Sequence, residues 1–125
     1  MINDQYTLAD RTTSFSKDTL SFCKNEKVTL ITRPLIYQLI RSATAIGANY
    51  AEANNASSKL DFRNKIFISK KEAAETKYWL ILLAEHAGDK QTCSKLLDEA
   101  QHLLMIFQKI INTMTHGKPK TVKAR

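Results

Sequence analysis

Three glycines, two prolines and two cysteines are all that this chain of 125 residues contains. So few breakers exclude a turn-rich β fold, whose hairpins rely on such residues. Cys23 and Cys93 are too few for a disulfide scaffold, and their spacing matches no common zinc pattern. The longest apolar run, residues 78–84, falls far below the roughly 18 residues of a membrane span. The opening MINDQYTLADR lacks the apolar centre of a secretory signal. A reducing, cytoplasmic setting is the expectation, with no membrane partner.

Against these absences stands an excess of positive charge, with 19 Lys and Arg against 12 Asp and Glu. Four of the cations, Lys118, Lys120, Lys123 and Arg125, fall in the last eight residues, leaving 15 against 12 in the body. An excess of this size suits a polyanionic partner but also plain solubility, so charge alone identifies no function.

Hydrophobic periodicity is more decisive, because four stretches repeat at helical spacing. Thr7 and Asp10 offer a cap and an acidic first turn for a helix over about 8–24, carrying Leu8, Thr12, Phe15, Thr19 and Phe22. Pro34 suits a first turn, which places a second helix at about 34–54 with Leu35, Leu39, Ala43, Ile46 and Tyr50 inward. Ser57 or Ser58 caps a third, about 58–87, in which Phe62, Ile66, Ser69, Ala73, Thr76, Leu80 and Leu83 alternate steps of four and three. Gly88 and Asp89 separate it from a fourth, about 90–115, with Cys93, Leu97, Ala100, Leu104, Phe107, Ile111 and Met114. Short connections make successive helices antiparallel. The predicted fold is all-α: an antiparallel, up-down-up-down four-helix bundle over residues 1–117, followed by a basic mobile tail at 118–125.

Helix three carries more apolar surface than one seam uses. Trp79 and Leu82 lie off the core stripe, and on the flank of Trp79 sit Glu72 and Glu75. In a bundle of only four helices the additional cover comes from a second subunit or from a thick intrachain core. On helix two, Arg41 and Glu52 bracket the small residues Ala45 and Ala48, a surface that another helix can approach closely. The expected oligomer interface is therefore Arg41, Glu52, Glu72, Glu75, Trp79 and Leu82, with Arg41 pairing a glutamate.

The segments RSATAIGANYAEA (41–53), ASSKLDF (56–62) and KEAAETKYWL (71–80) resemble the four-helix-bundle proteins encoded in intervening sequences of bacterial 23S ribosomal RNA genes. The likeness runs from about Tyr6 to Met114. It implies a homopentameric ring of bundles with a basic surface. Related accessory proteins of diversity-generating retroelements associate with a reverse transcriptase and with nucleic acid, so the resemblance implies those partners too, and no enzymatic activity.

Lys59, Arg63, Lys65, Lys70 and Lys71 meet one acid, Asp61, in the most basic stretch of the body, and with the tail cations they form the candidate nucleic-acid surface. Few aromatics are left to stack on bases, so contacts to phosphates should lead and sequence specificity should be weak. Glu99-x-x-His102 echoes di-iron bundles, but those need the motif on two helices. Cys23, Cys93 and His86 come to one end of the bundle without a fourth ligand. Neither a Gly-rich phosphate loop nor a nucleophile elbow is present. The reading is a non-enzymatic, cofactor-free and metal-free oligomer that binds RNA or DNA, with a protein-binding scaffold as the alternative.

Overall fold

The computed structural model describes residues 6–116, and the tail cations Lys118, Lys120, Lys123 and Arg125 lie outside them. All regular structure among the described residues is helical: α1 Leu8–Lys24, α2 Thr32–Ala53, α3 Lys59–Leu83 and α4 Lys90–His116. None of these helices is long and apolar enough to cross a membrane.

Helix ends are fixed by local hydrogen bonds that satisfy the first N–H groups. At α1 a capping box joins Thr7 and Asp10, with bonds of 3.1 and 3.2 Å. Ser58 Oγ accepts from Asp61 N at 3.0 Å to start α3, and Asp89 Oδ1 accepts from Thr92 N at 3.0 Å to start α4. α2 begins two residues before Pro34, because Thr29 and Thr32 exchange backbone-to-hydroxyl bonds of 2.8 and 3.1 Å and close a turn ahead of it. α3 stops at Leu83, four residues short of the predicted end. Residues 84–86 tighten into turns in which Glu85 N and His86 N donate to the carbonyls three residues back.

Antiparallel order shows in paired positions, since partners on α3 fall in number as those on α2 rise. Ser42 meets Thr76, the Ile46 carbonyl meets Ser69, and Glu52 meets Lys65. α3 runs against α4 in the same way, through Lys77 with Gln101 and the Leu80 carbonyl with Cys93. α1 closes the ring against α4 through the smallest of the four seams. α4, at 27 residues, outruns α1, at 17. Past the start of α1, Ile106, Ile110 and Met114 of α4 line a small apolar pocket of about 460 Å³.

The core holds Phe15, Phe22, Leu39, Ile46, Ile66, Leu80, Leu83, Leu103 and Phe107, with Tyr50 edge-on to Phe107 at 5.8 Å. On α4 the innermost positions are Leu96 and Leu103 rather than their neighbours Leu97 and Leu104, which are half-buried. Where α2 meets α3 the buried residues are small: Ser42, Ala43, Ser69, Ala73 and Thr76. Gly47 performs the same service toward α1, since a Cβ there would stand 3.2 Å from Thr12 Oγ1.

Two consequences are measurable by urea unfolding. Leu80→Ala should cost about 2–5 kcal/mol, because Leu80 is fully buried, whereas Leu30→Ala, at a position 89% exposed, should fall within about 0.5 kcal/mol. Gly47→Leu should destabilise by at least about 1–3 kcal/mol by pushing α1 off α2.

Candidate nucleic-acid interface

α3 lies between α2 and α4, so its core stripe separates two flanks of different chemistry. Toward α2 the helical spacing brings Asp61, Lys65, Glu72, Glu75, Trp79 and Leu82. Toward α4 it brings Lys59, Arg63, Phe67, Lys70 and Lys77. Every acid of α3 stands on the first flank.

That first flank is largely neutralised within the chain. Arg41 of α2 reaches Glu72 at 3.4 Å and pairs with Glu75, which also accepts from the Trp79 indole N–H at 3.0 Å. The indole N–H, and after it Arg41, hold the Glu75 carboxyl below its ordinary range against the opposing effect of burial. Arg41 and Glu75 are both more than a third exposed, so the pair stabilises by no more than about 1 kcal/mol. Glu52 pairs with Lys65 at 2.7 Å. The predicted glutamate partner of Arg41 thus exists, and it lies in the same chain.

Of the predicted cations, Lys59, Arg63 and Lys70 share the α4-facing flank, Lys71 points further out, and Lys65 is spent on Glu52. Arg63 lies 4.9 Å and Lys70 5.9 Å from the ring centre of half-buried Phe67, so both cations lie against the same aromatic ring. Sequence reasoning missed Lys77, which hydrogen-bonds Gln101 of α4. Its seven-residue step from Lys70 was the available clue.

Exposed apolar side chains gather at the end of the bundle where α2 starts and α3 finishes: Leu30, Ile31, Tyr37, Tyr78 and Ile81. Trp79 and Leu82 of the expected interface are less exposed than these, being half-buried. Tyr6, Tyr37 and Tyr78 are exposed aromatics, more than the sequence suggested.

The remaining titratable groups serve structure. Arg11 of α1 holds Glu99 of α4 in a two-pronged bond of 2.6 and 2.9 Å, which draws Glu99 away from exposed His102. Cys23 and Cys93 are buried free thiols, and burial, aided by nearby Glu26, pushes Cys23 up to about 11. A cleft of about 740 Å³ opens between the end of α1 and the start of α4. Glu26 on its wall accepts the N–H groups of Gly88 and Asp89 at 2.9 and 3.1 Å, acting as a brace. Among the described residues, no three His, Cys, Asp or Glu side chains are grouped to hold a metal ion.

Residues 5–109 match the sequence model of a family described as 23S rRNA-intervening sequence protein. Among solved structures, the chain is similar to a protein of unknown function from the S23 ribosomal protein family of Bacteroides thetaiotaomicron. The two share 30% identity and a TM-score of 0.74 over 86% of this chain and all of that one. No curated protein matches the chain.

The chain's one tryptophan makes the α2–α3 cluster observable. Glu75 favours its ionised form in the fold, so its contribution is present above the ordinary value of 4.5 and lost as pH falls through the lower folded value. Trp79 fluorescence should therefore titrate with a midpoint below 4.5, and Glu75→Gln should abolish the transition. For the thiols, burial predicts negligible alkylation of Cys23 and Cys93 at pH 8 in the folded protein and rapid reaction in urea, followed by mass spectrometry.

Proposed function

This chain belongs to the family of 23S rRNA-intervening sequence proteins, and on that footing we propose that it is a non-enzymatic, homo-oligomeric protein that binds nucleic acid through phosphate contacts. The allocation of charge in the fold carries the reading. Four carboxylates, Asp10, Glu26, Asp61 and Asp89, accept backbone N–H groups at or beside helix starts, where the helix dipole offsets their charge. Four more, Glu52, Glu72, Glu75 and Glu99, are held by Lys65, Arg41 and Arg11. Lys17, Lys24, Lys59, Arg63, Lys70 and Lys71 make no ion pair among the described residues. The acids are largely internalised in function while the cations face outward, which leaves a surface suited to a polyanion.

Assembly is the second part of the proposal. The exposed Leu30, Ile31, Tyr37, Tyr78 and Ile81 favour cover by another copy of the chain, adjoining Trp79 and Leu82. The closed form expected from the family resemblance is a pentameric ring, and repetition around it would turn a modest basic patch into a multivalent one. A reverse transcriptase is the protein partner that the resemblance suggests. The same apolar end gives the rival reading, a scaffold that binds protein alone.

Light scattering and titration with labelled RNA and DNA test both parts. The protein should run as an oligomer at micromolar concentration, and Ile81→Asp should lower its mass while helicity survives. Affinity for single strands should fall by about 0.7 log units per phosphate contact for each tenfold rise in salt. Deleting residues 118–125, which removes four cations, should flatten that slope by at most about 3 per tail engaged. An oligomer that binds no nucleic acid at low salt would leave the scaffold reading.

A further inference from the structure

We propose that the groove between α3 and α4 is a track for one strand of nucleic acid. Arg63, Lys70 and Lys77 on the α3 wall take phosphates, and Gln101 and Gln108 on the α4 wall face the bases. The inference rests on the nucleic-acid reading above and gives it a place on the fold.

The three cations stand seven residues apart, so they drift only about 20° per step and remain in line. By helical rise they are about 10.5 Å apart, a row of about 21 Å. No acid of α3 joins them, because Asp61, Glu72 and Glu75 all lie on the opposite flank. Across the groove Lys77 touches Gln101, which fixes which side of α4 faces the row. Gln108 follows Gln101 by seven residues and is linked to Asn112 at 2.8 Å. This wall therefore offers amides, which both donate and accept, as base edges require. Asp98, one turn before Gln101, is the acid at the end of the track.

A single row of cations beside one aromatic platform suits a strand better than a duplex. A duplex presents two phosphate rows around a cylinder, and its bases are stacked away. A strand can lay its backbone along the row and turn an unstacked base onto the Arg63 guanidinium, which Phe67 supports from beneath. An acidic peptide would occupy the cations but make no use of the amides or the stacking plane.

The test compares the full chain with two charge-matched triples, R63Q/K70Q/K77Q in the groove and K17Q/K24Q/K95Q elsewhere, by anisotropy with labelled single-stranded RNA, single-stranded DNA and double-stranded RNA. Losing three contacts at about 0.7 log units each predicts that the groove triple binds a single strand roughly 100-fold more weakly at 0.1 M salt, with a slope flatter by about 2. The second triple should lose only a few-fold. Arg63→Lys, which keeps the charge, should keep the slope and lose affinity through weaker stacking. Circular dichroism and oligomer mass should match wild type, and R63Q/K70Q, which breaks no interhelical hydrogen bond, serves if Lys77→Gln loosens α3 from α4. Equal losses from both triples, tighter binding of the duplex, or displacement by polyglutamate as effective as by unlabelled strand would each overturn the track while leaving nucleic-acid binding standing. Absence of binding by the wild type would instead sink the nucleic-acid reading, and the track with it.

Discussion

Everything in this bundle is referred to the close approach of α2 and α3, which small buried residues permit and two hydroxyl contacts index. Ser69 Oγ donates to the Ile46 carbonyl at 2.9 Å, and Thr76 Oγ1 lies 2.9 Å from Ser42 Oγ. A slip of one turn would take the Ser69 hydroxyl off its acceptor, at about 1–3 kcal/mol if it stayed unpaired, while Ser42 and Thr76 keep carbonyl acceptors within their own helices. Ala43 and Ala73, with no accessible surface, leave no room for a different register.

With that register set, the electrostatics of α3 follow. Rotating the helix by one position would carry Glu72 and Glu75 away from Arg41 and turn Lys77 away from Gln101 of α4. The segregation of charge to two flanks is written in the spacing of α3, and packing decides which neighbour each flank faces. It also explains why the paired flank contributes little to stability: its ion pairs are partly solvated, and the seam beneath them supplies the binding energy between the helices.

Much of this was legible in the sequence. The α3 stripe from Ile66 to Leu83 is buried at each position that the spacing gave, and Thr7 and Asp89 cap where expected. Boundaries were less legible. Thr29 and Thr32 extend α2 forward by a side-chain exchange that hydrophobic periodicity does not register, and residues 84–86, Ala-Glu-His, hold no helix breaker ahead of Gly88 yet turn. On α4, Leu96-Leu97 and Leu103-Leu104 are adjacent like residues, so a stripe can be drawn through either member, and only the neighbouring helices decide. Within the candidate site, helical spacing puts Lys59, Arg63 and Lys70 on one flank of α3. It could not know that Glu52, on another helix, would claim Lys65, nor that α4 would draw Lys77 to the same groove. Periodicity describes one helix at a time, whereas a charge is lost or kept between two.

The four seams are unequal, and that inequality orders the motions of the molecule. α2, α3 and α4 are joined by the larger seams, while α1 rests on Gly47 of α2, the Arg11–Glu99 bridge and the Glu26 brace. The α2–α3 hairpin closes over a five-residue connection and forms contacts of short sequence separation, so it is the piece that can assemble early, with the α1–α4 closure last. In the native state α1 is the helix whose release breaks the fewest contacts, so its amide protons should exchange ahead of those in the three-helix stack of α2, α3 and α4. Both walls of the α3–α4 groove belong to that stack, so opening at α1 removes neither wall.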